Sequence, residues 1–296
     1  MSYFLTMLVS GLKLGSIYAI VAIGYSIVYG ILRLINFAHG DIMTVGVYII
    51  LVLMNQLGMP LLACVVISVG LSIIVGLLIE RLAYRPLRDS TEETTLISSL
   101  AVSSLLQNLL QMVFGSQRKP FMLPDWLTQS HKIGAVSLST INILTFIITA
   151  VFLVTLYFVL TRTKIGMAMR ACSENMNAAR LMGINVNKVV MFAFAIGSGM
   201  AVIAGLLLAG EYKTIYPSLG FVPGLKAFCA AVVGGIGSLG GAVAGAFIIG
   251  LAEMLFAGLM PASVTAYRDA FVFLLMVVVL LFRPNGLFGQ AEGGRS

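Results

Sequence analysis

The strongest constraint on this chain is a succession of apolar runs, each about twenty residues long and nearly free of charge. Residues 61–79, "LLACVVISVGLSIIVGLLI", contain no charged side chain at all. An α-helix needs roughly 20 apolar residues to cross a ~30 Å hydrocarbon core. The runs predict helices over about 12–33, 41–57, 60–82, 94–115, 141–161, 188–210, 225–239, 241–259 and 266–283. The expected fold is an all-α polytopic membrane protein with about eight or nine membrane segments, one pair broken or re-entrant. Composition excludes a soluble domain: 59% of the 296 residues are hydrophobic and 10% charged, against about a quarter charged in soluble proteins.

The net charge of +7 lies in the loops, which fits membrane orientation and gives no reason to expect nucleic acid as a partner. Arg81, Arg85 and Arg88 mark one cytoplasmic loop; Arg162, Lys164, Arg170, Arg180 and Lys188 mark another; Arg283 and Arg295 place the C-terminal tail on the same side. Arg118, Lys119, Lys132, Lys213 and Lys226 fall outside, while Lys13, Arg33 and Arg268 lie near helix ends. The N-terminus comes out external if every segment before residue 81 crosses once. It reads as the start of the first membrane helix, because no basic region and cleavage site precede the apolar run. Cys64, Cys172 and Cys229 are scattered singly, so no disulfide framework or CxxC metal site is written.

Residues 225–239 are too short to span, about 22 Å as helix, and a glycine cluster follows. Such segments form either discontinuous helices lining a transport cavity or tight hairpins with closely packed backbones. The GxGxxG at Gly235–Gly240 lies between membrane helices, outside any βαβ unit, so it is no dinucleotide fingerprint. A P-loop is also missing. Small residues recur every fourth position at Ala193, Gly197, Ala201, Gly205 and Ala209, and at Gly237, Gly241 and Gly245. Rows of this kind serve internal packing or contact with a second subunit.

Several polar groups are expensive in hydrocarbon. Thr95, Ser99, Ser103, Gln107 and Gln111 form one helical stripe that must face protein or a wet path. Glu253, alone inside an apolar run, is expected to be bonded to a partner in the bundle. In "RLINFAHGDIMTVG", Asn36, His39, Gly40 and Asp41 form a polar break between two helices, with Asp41 placed to cap the second. Capping and turn-making compete there with direct contact to a moving substrate. Trp126 reads as an interfacial anchor. Residues 162–188 interleave Met, Ala and charge, as amphipathic helices at a membrane surface or in a partner's groove do.

Four blocks, at 15–48, 80–88 ("ERLAYRPLR"), 166–185 ("GMAMRACSENMNAARLMGIN") and 224–253, together resemble the H-type permease of bacterial branched-chain amino-acid ABC importers. The resemblance implies a single transmembrane permease domain over 1–296 in the bacterial inner membrane, with no catalysis and no cofactor of its own. Its implied partners are a homologous second permease, two cytoplasmic ATPases that bind the ATP, and an extracytoplasmic substrate-binding protein. Related permeases carry other small solutes, including urea and short amides, and a secondary transporter working alone is the remote rival. The 162–188 loop resembles the importers' ATPase-docking signature EAA-x-x-x-G, with Asn177 in the acid's place, then Ala178, Ala179 and Gly183; Arg170, Glu174 and Arg180 flank it. The expected substrate pathway joins Asn36, His39 and Gly40 to the break at Gly234, Gly237 and Gly241 in one cavity beside the second permease.

Overall fold

The computed structural model describes residues 2–88, 90–133 and 136–289; Arg295 lies outside them. Thirteen α-helices follow in chain order: α1 (Ser2–Leu32), α2 (Ala38–Asn55), α3 (Leu61–Ile79), α4 (Glu92–Phe114), α5 (Asp125–Thr128), α6 (Thr140–Arg162), α7 (Lys164–Glu174), α8 (Met176–Leu181), α9 (Val186–Tyr212), α10 (Phe221–Gly234), α11 (Leu239–Leu259), α12 (Ala262–Thr265) and α13 (Arg268–Phe282). Seven of them, α1–α4, α6, α9 and α11, are long and apolar enough to cross a membrane. With the shorter apolar α10 the total is eight among the described residues. The chain is a multi-pass, all-α membrane protein.

Long apolar stretches dictate the long helices, and side-chain caps or glycines stop them. Thr91 Oγ1 accepts from Thr94 N at the start of α4, and Gly115, at φ +81, ends that helix. α3 continues through a π-helical turn over Glu80–Tyr84, whose wider winding swings Tyr84 inward. Two short antiparallel pairs sit outside the bundle: β1 (Lys119–Pro120) with β4 (Thr214–Ile215), and β2 (Ser130–Ile133) with β3 (Val136–Ser139). The first pair puts the ends of α4 and α9 on one side. Lys13 Nζ lies 2.5 Å from Glu211, so the N-terminal part of α1 is on that side too.

α1 and α9 form the buried centre, flanked by α11 on one side and by α2 and α3 on the other. The small-residue row of α9 is buried throughout. Gly205 faces Met43 and Val47, and Gly197 faces His39. Gly241 and Gly245 lie against Gly234 and Ala230, so α10 and α11 form the tightly packed hairpin. The α9 row and the Gly241 and Gly245 part of the second row serve internal packing, whereas Gly237 has open space beside it. α10 begins at Phe221, four residues before the sequence expectation, because Pro223 in the first turn needs no N–H partner there.

Candidate functional site

α2 and α10 both begin inside the bundle. After Leu32 the chain leaves α1, and residues 33–37 climb to the first turn of α2. His39 there packs against Gly24 and against Gly197 near the middle of α9. From the other side, the segment after β4 dips inward to Gly220, which precedes α10. The two first turns touch: a Cβ on Gly224 would lie 2.9 Å from Gly40 Cα, and one on Gly40 would strike the Gly220 carbonyl. Thr44 Oγ1 accepts from Gly220 N at 2.8 Å and locks this crossing.

Around the crossing the polar residues bond to protein. Asn36 Oδ1 accepts from Tyr84 OH at 2.7 Å. Asp41 does not cap α2: the helix starts three residues earlier, with Phe37 as its N-cap residue and no side-chain cap. Asp41 Oδ1 instead accepts from Gln107 Nε2 at 3.0 Å, while Oδ2 and His39 Nε2 have no hydrogen-bond partner among the described residues. His39 meets the Tyr25 ring edge-on, centroids 4.7 Å apart. The α4 stripe divides. Thr95, Ser99 and Ser103 are buried, Gln107 reaches α2, and Gln111 is exposed.

One turn along α10 lies a charge cluster that the sequence reading missed. Lys226, expected outside, is buried, with Nζ 2.6 Å from Glu253 Oε1 and 2.6 Å from Asp269 Oδ1. Arg268 Nε stands 3.8 Å from Glu253 and 3.6 Å from Asp269. Tyr18 OH donates to Glu253 Oε2 at 2.9 Å. The expected partner-bonded Glu253 is therefore found, and α1, α10, α11 and α13 are tied together through it. An opposite charge 27 positions earlier, also inside an apolar run, was the available clue.

At its other end α10 stops at Gly234, because Gly235 takes φ +107 and Gly237 φ +87. Ser238 Oγ caps α11 by accepting from Gly241 N at 3.1 Å. The C-terminal segment clamps this turn: Leu287 N donates to Val233 O at 2.8 Å and Phe288 N to Gly234 O at 3.0 Å. Beside it opens a cavity of about 830 Å³. Gly237 lines it together with Tyr29, Arg33, Ser173 and Phe228. Asn36, His39 and Gly40 do not, and neither do Gly234 and Gly241. The two breaks therefore do not share this cavity. The first break commits Asn36 and Asp41 Oδ1 to Tyr84 and Gln107 within the bundle, whereas the second is nearly bare backbone.

Beyond the membrane helices, α7 and α8 form a bent pair held by caps. Thr163 Oγ1 accepts from Gly166 N at 3.2 Å, and Asn175 Oδ1 accepts from Asn177 N at 3.0 Å and Ala178 N at 2.9 Å. Gly183, at φ +82, closes α8. Arg170, Glu174, Ala178, Arg180 and Gly183 are exposed, whereas Ala179 turns inward. Leu181 is 89% and Met182 82% exposed at the tip. Cys172 is buried, and burial pushes its thiol pKa up, with the Arg180 guanidinium opposing. Arg88, which bonds Glu80 and donates to Asn187 Oδ1 at 2.7 Å, is drawn below the usual guanidinium pKa by burial, against the pull of Glu80.

Comparison with known proteins matches residues 7–280 to the family described as branched-chain amino acid transport system / permease component. The high-affinity branched-chain amino acid transport system permease protein BraD of Pseudomonas aeruginosa is 39% identical over 98% of this chain and 97% of its own length. The corresponding LivH of Escherichia coli is 38% identical over the same shares. A probable LivH of Methanocaldococcus jannaschii is 30% identical over 91% of this chain and 88% of its own. The chain belongs to the family of branched-chain amino acid transport system permease components.

Proposed function

We propose that this chain is the membrane subunit of an ABC importer for branched-chain amino acids in the bacterial inner membrane, forming half of the pathway beside a homologous permease. The observation that carries the reading is the likeness to such permeases along almost the whole chain, with no break at either end of the bundle. ATP is hydrolysed by two cytoplasmic partner subunits, and an extracytoplasmic binding protein delivers the cargo; this chain itself binds no cofactor. α7 and α8, residues 162–188 with their flanks, dock an ATPase. Leu181 and Met182 are apolar knobs outside the membrane helices, and such knobs need a partner's groove.

For the pathway the bonding pattern favours α4 over the Asn36–His39 break. Ser104, Asn108 and Gln111 are exposed on one face of a membrane helix. Polar side chains at that depth avoid lipid and face protein or water. That face lines the route shared with the second permease. Asn36, His39 and Gly40 act through the crossing with α10, and the Gly234–Gly241 turn acts as a joint.

The test is reconstitution. The chain is co-expressed with the second permease, the two ATPases and the binding protein, purified, and placed in proteoliposomes. ATP-dependent leucine uptake is expected only when both ATPases and the binding protein are present. Uptake by the chain alone, driven by an ion gradient, would sink the importer reading.

A further inference from the structure

The cavity at the α10–α11 turn is unusual in what its walls combine. Arg33 lines it and has no acidic partner among the described residues, and none of the described lining residues is acidic. Its apolar lining includes Phe228 and Val232 from α10 and Met276 and Leu280 from α13. Ser173 of α7 is among its uncharged polar lining residues, with Tyr29, Ser238 and Asn285. Arg33 lies just past the end of α1, and Pro284, also in the lining, lies just past the end of α13. The cavity is therefore at headgroup depth on the side of α7. Leu274, Val278 and Leu281 are exposed on the other face of α13, so the helix that supplies Met276 and Leu280 to the cavity turns an apolar back to the lipid.

We infer that this cavity holds the phosphate headgroup of an anionic phospholipid on Arg33, with the start of an acyl chain along Phe228, Met276 and Leu280. A free amino acid fits less well, because its ammonium would meet no carboxylate among the described lining residues. A cation without an acidic partner among the described residues, in a cavity with an apolar lining, suits an amphiphilic anion. Arginine further offers a planar fork of donors matched to phosphate oxygens. The backbone at Arg33 has φ +54, a conformation in which glycine would cost less, so this arginine is held there against local preference. Since Ser173 belongs to α7, the bound lipid touches the same helix whose outer face is proposed to receive the ATPase.

The experiment uses the full-length protein in nanodiscs of mixed phosphatidylglycerol and phosphatidylcholine, released into a native mass spectrometer. Wild type is expected to retain phosphatidylglycerol preferentially. Arg33→Gln should lower that retention about tenfold, the loss of one charge-assisted contact. Arg33→Lys should keep most of it, and Arg81→Gln, an exposed arginine outside the cavity, should leave it unchanged. Matching circular dichroism and melting of the variants separates binding from folding. Equal retention by wild type and Arg33→Gln overturns the inference. A second arm titrates inorganic phosphate against the protein in neutral detergent. Arg33-dependent phosphate binding without preference for phosphatidylglycerol would assign the site to a soluble anion and overturn the lipid.

Discussion

The two ends of α10 solve the same problem in opposite ways. Both are helix termini packed against other helices, where free backbone groups need partners. At the first turn the neighbours close in: Gly40 and Gly220 touch, Thr44 takes a backbone N–H, and Lys226 finds two carboxylates. At the last turn the backbone relies on glycines and on the clamp from Leu287 and Phe288, with a cavity alongside. A sealed end fixes where the helix sits; a glycine end with open space leaves room for movement.

The contrast can be broken most forcefully at Lys226. Lys226→Met leaves Glu253 and Asp269 short of a cation, and removing one partner of a buried pair costs about 3–5 kcal/mol. A large drop in melting temperature in detergent is expected, with partial recovery in Lys226→Met/Glu253→Gln. If the double variant is no better than the single, the cluster does not act as a unit. Gly40→Val should follow, at about 1–3 kcal/mol for overpacking, because the new side chain drives into Gly220 and Gly224. It is read as lost monodisperse protein.

At the open end Gly237→Ala should cost only about 1 kcal/mol, for the left-handed backbone, since nothing lies within 4 Å of the new Cβ. A loss as large as that of Gly40→Val would erase the distinction between the two ends. Asn175→Ala, well away from both, should cost about 1 kcal/mol by removing the α8 cap. Pull-down of the proposed ATPase partner should weaken while membrane insertion persists. The smallest effect concerns Cys172. Its raised pKa means less thiolate at neutral pH, so labelling by a thiol reagent should be slow. The rate should climb as pH rises past the ordinary thiol value of about 8.5. Fast labelling at pH 7 would contradict its burial.

Much of this was legible in the residues. Apolar run length gave the membrane helices, and the glycine cluster marked the α10–α11 turn. The polar break at Asn36–Asp41 also stood out, but its meaning did not. A polar residue in an apolar context announces only that it needs a partner. Whether that partner is Tyr84, Gln107 or water depends on which helices meet, and this is a tertiary fact. Lys226 was misread for the complementary reason. At the start of the expected 225–239 helix it counted only as an external-side cation, and its burial depends on the dip before α10. Arg33 offered no pattern at all, since its interest lies in the cavity around it.

The cluster at Lys226 has a further consequence. Its two cations, Lys226 and Arg268, face two anions, Glu253 and Asp269, so the group as a whole is electrically neutral. Carrying one uncompensated charge across an energised membrane involves about 2.3 kcal/mol for every 100 mV. A neutral quartet moving as one body exchanges almost none of that work with the potential. The helices it joins can then tilt or slide at the same energetic cost in a resting or a fully energised cell, so the membrane potential gains no handle on the bundle through these four side chains.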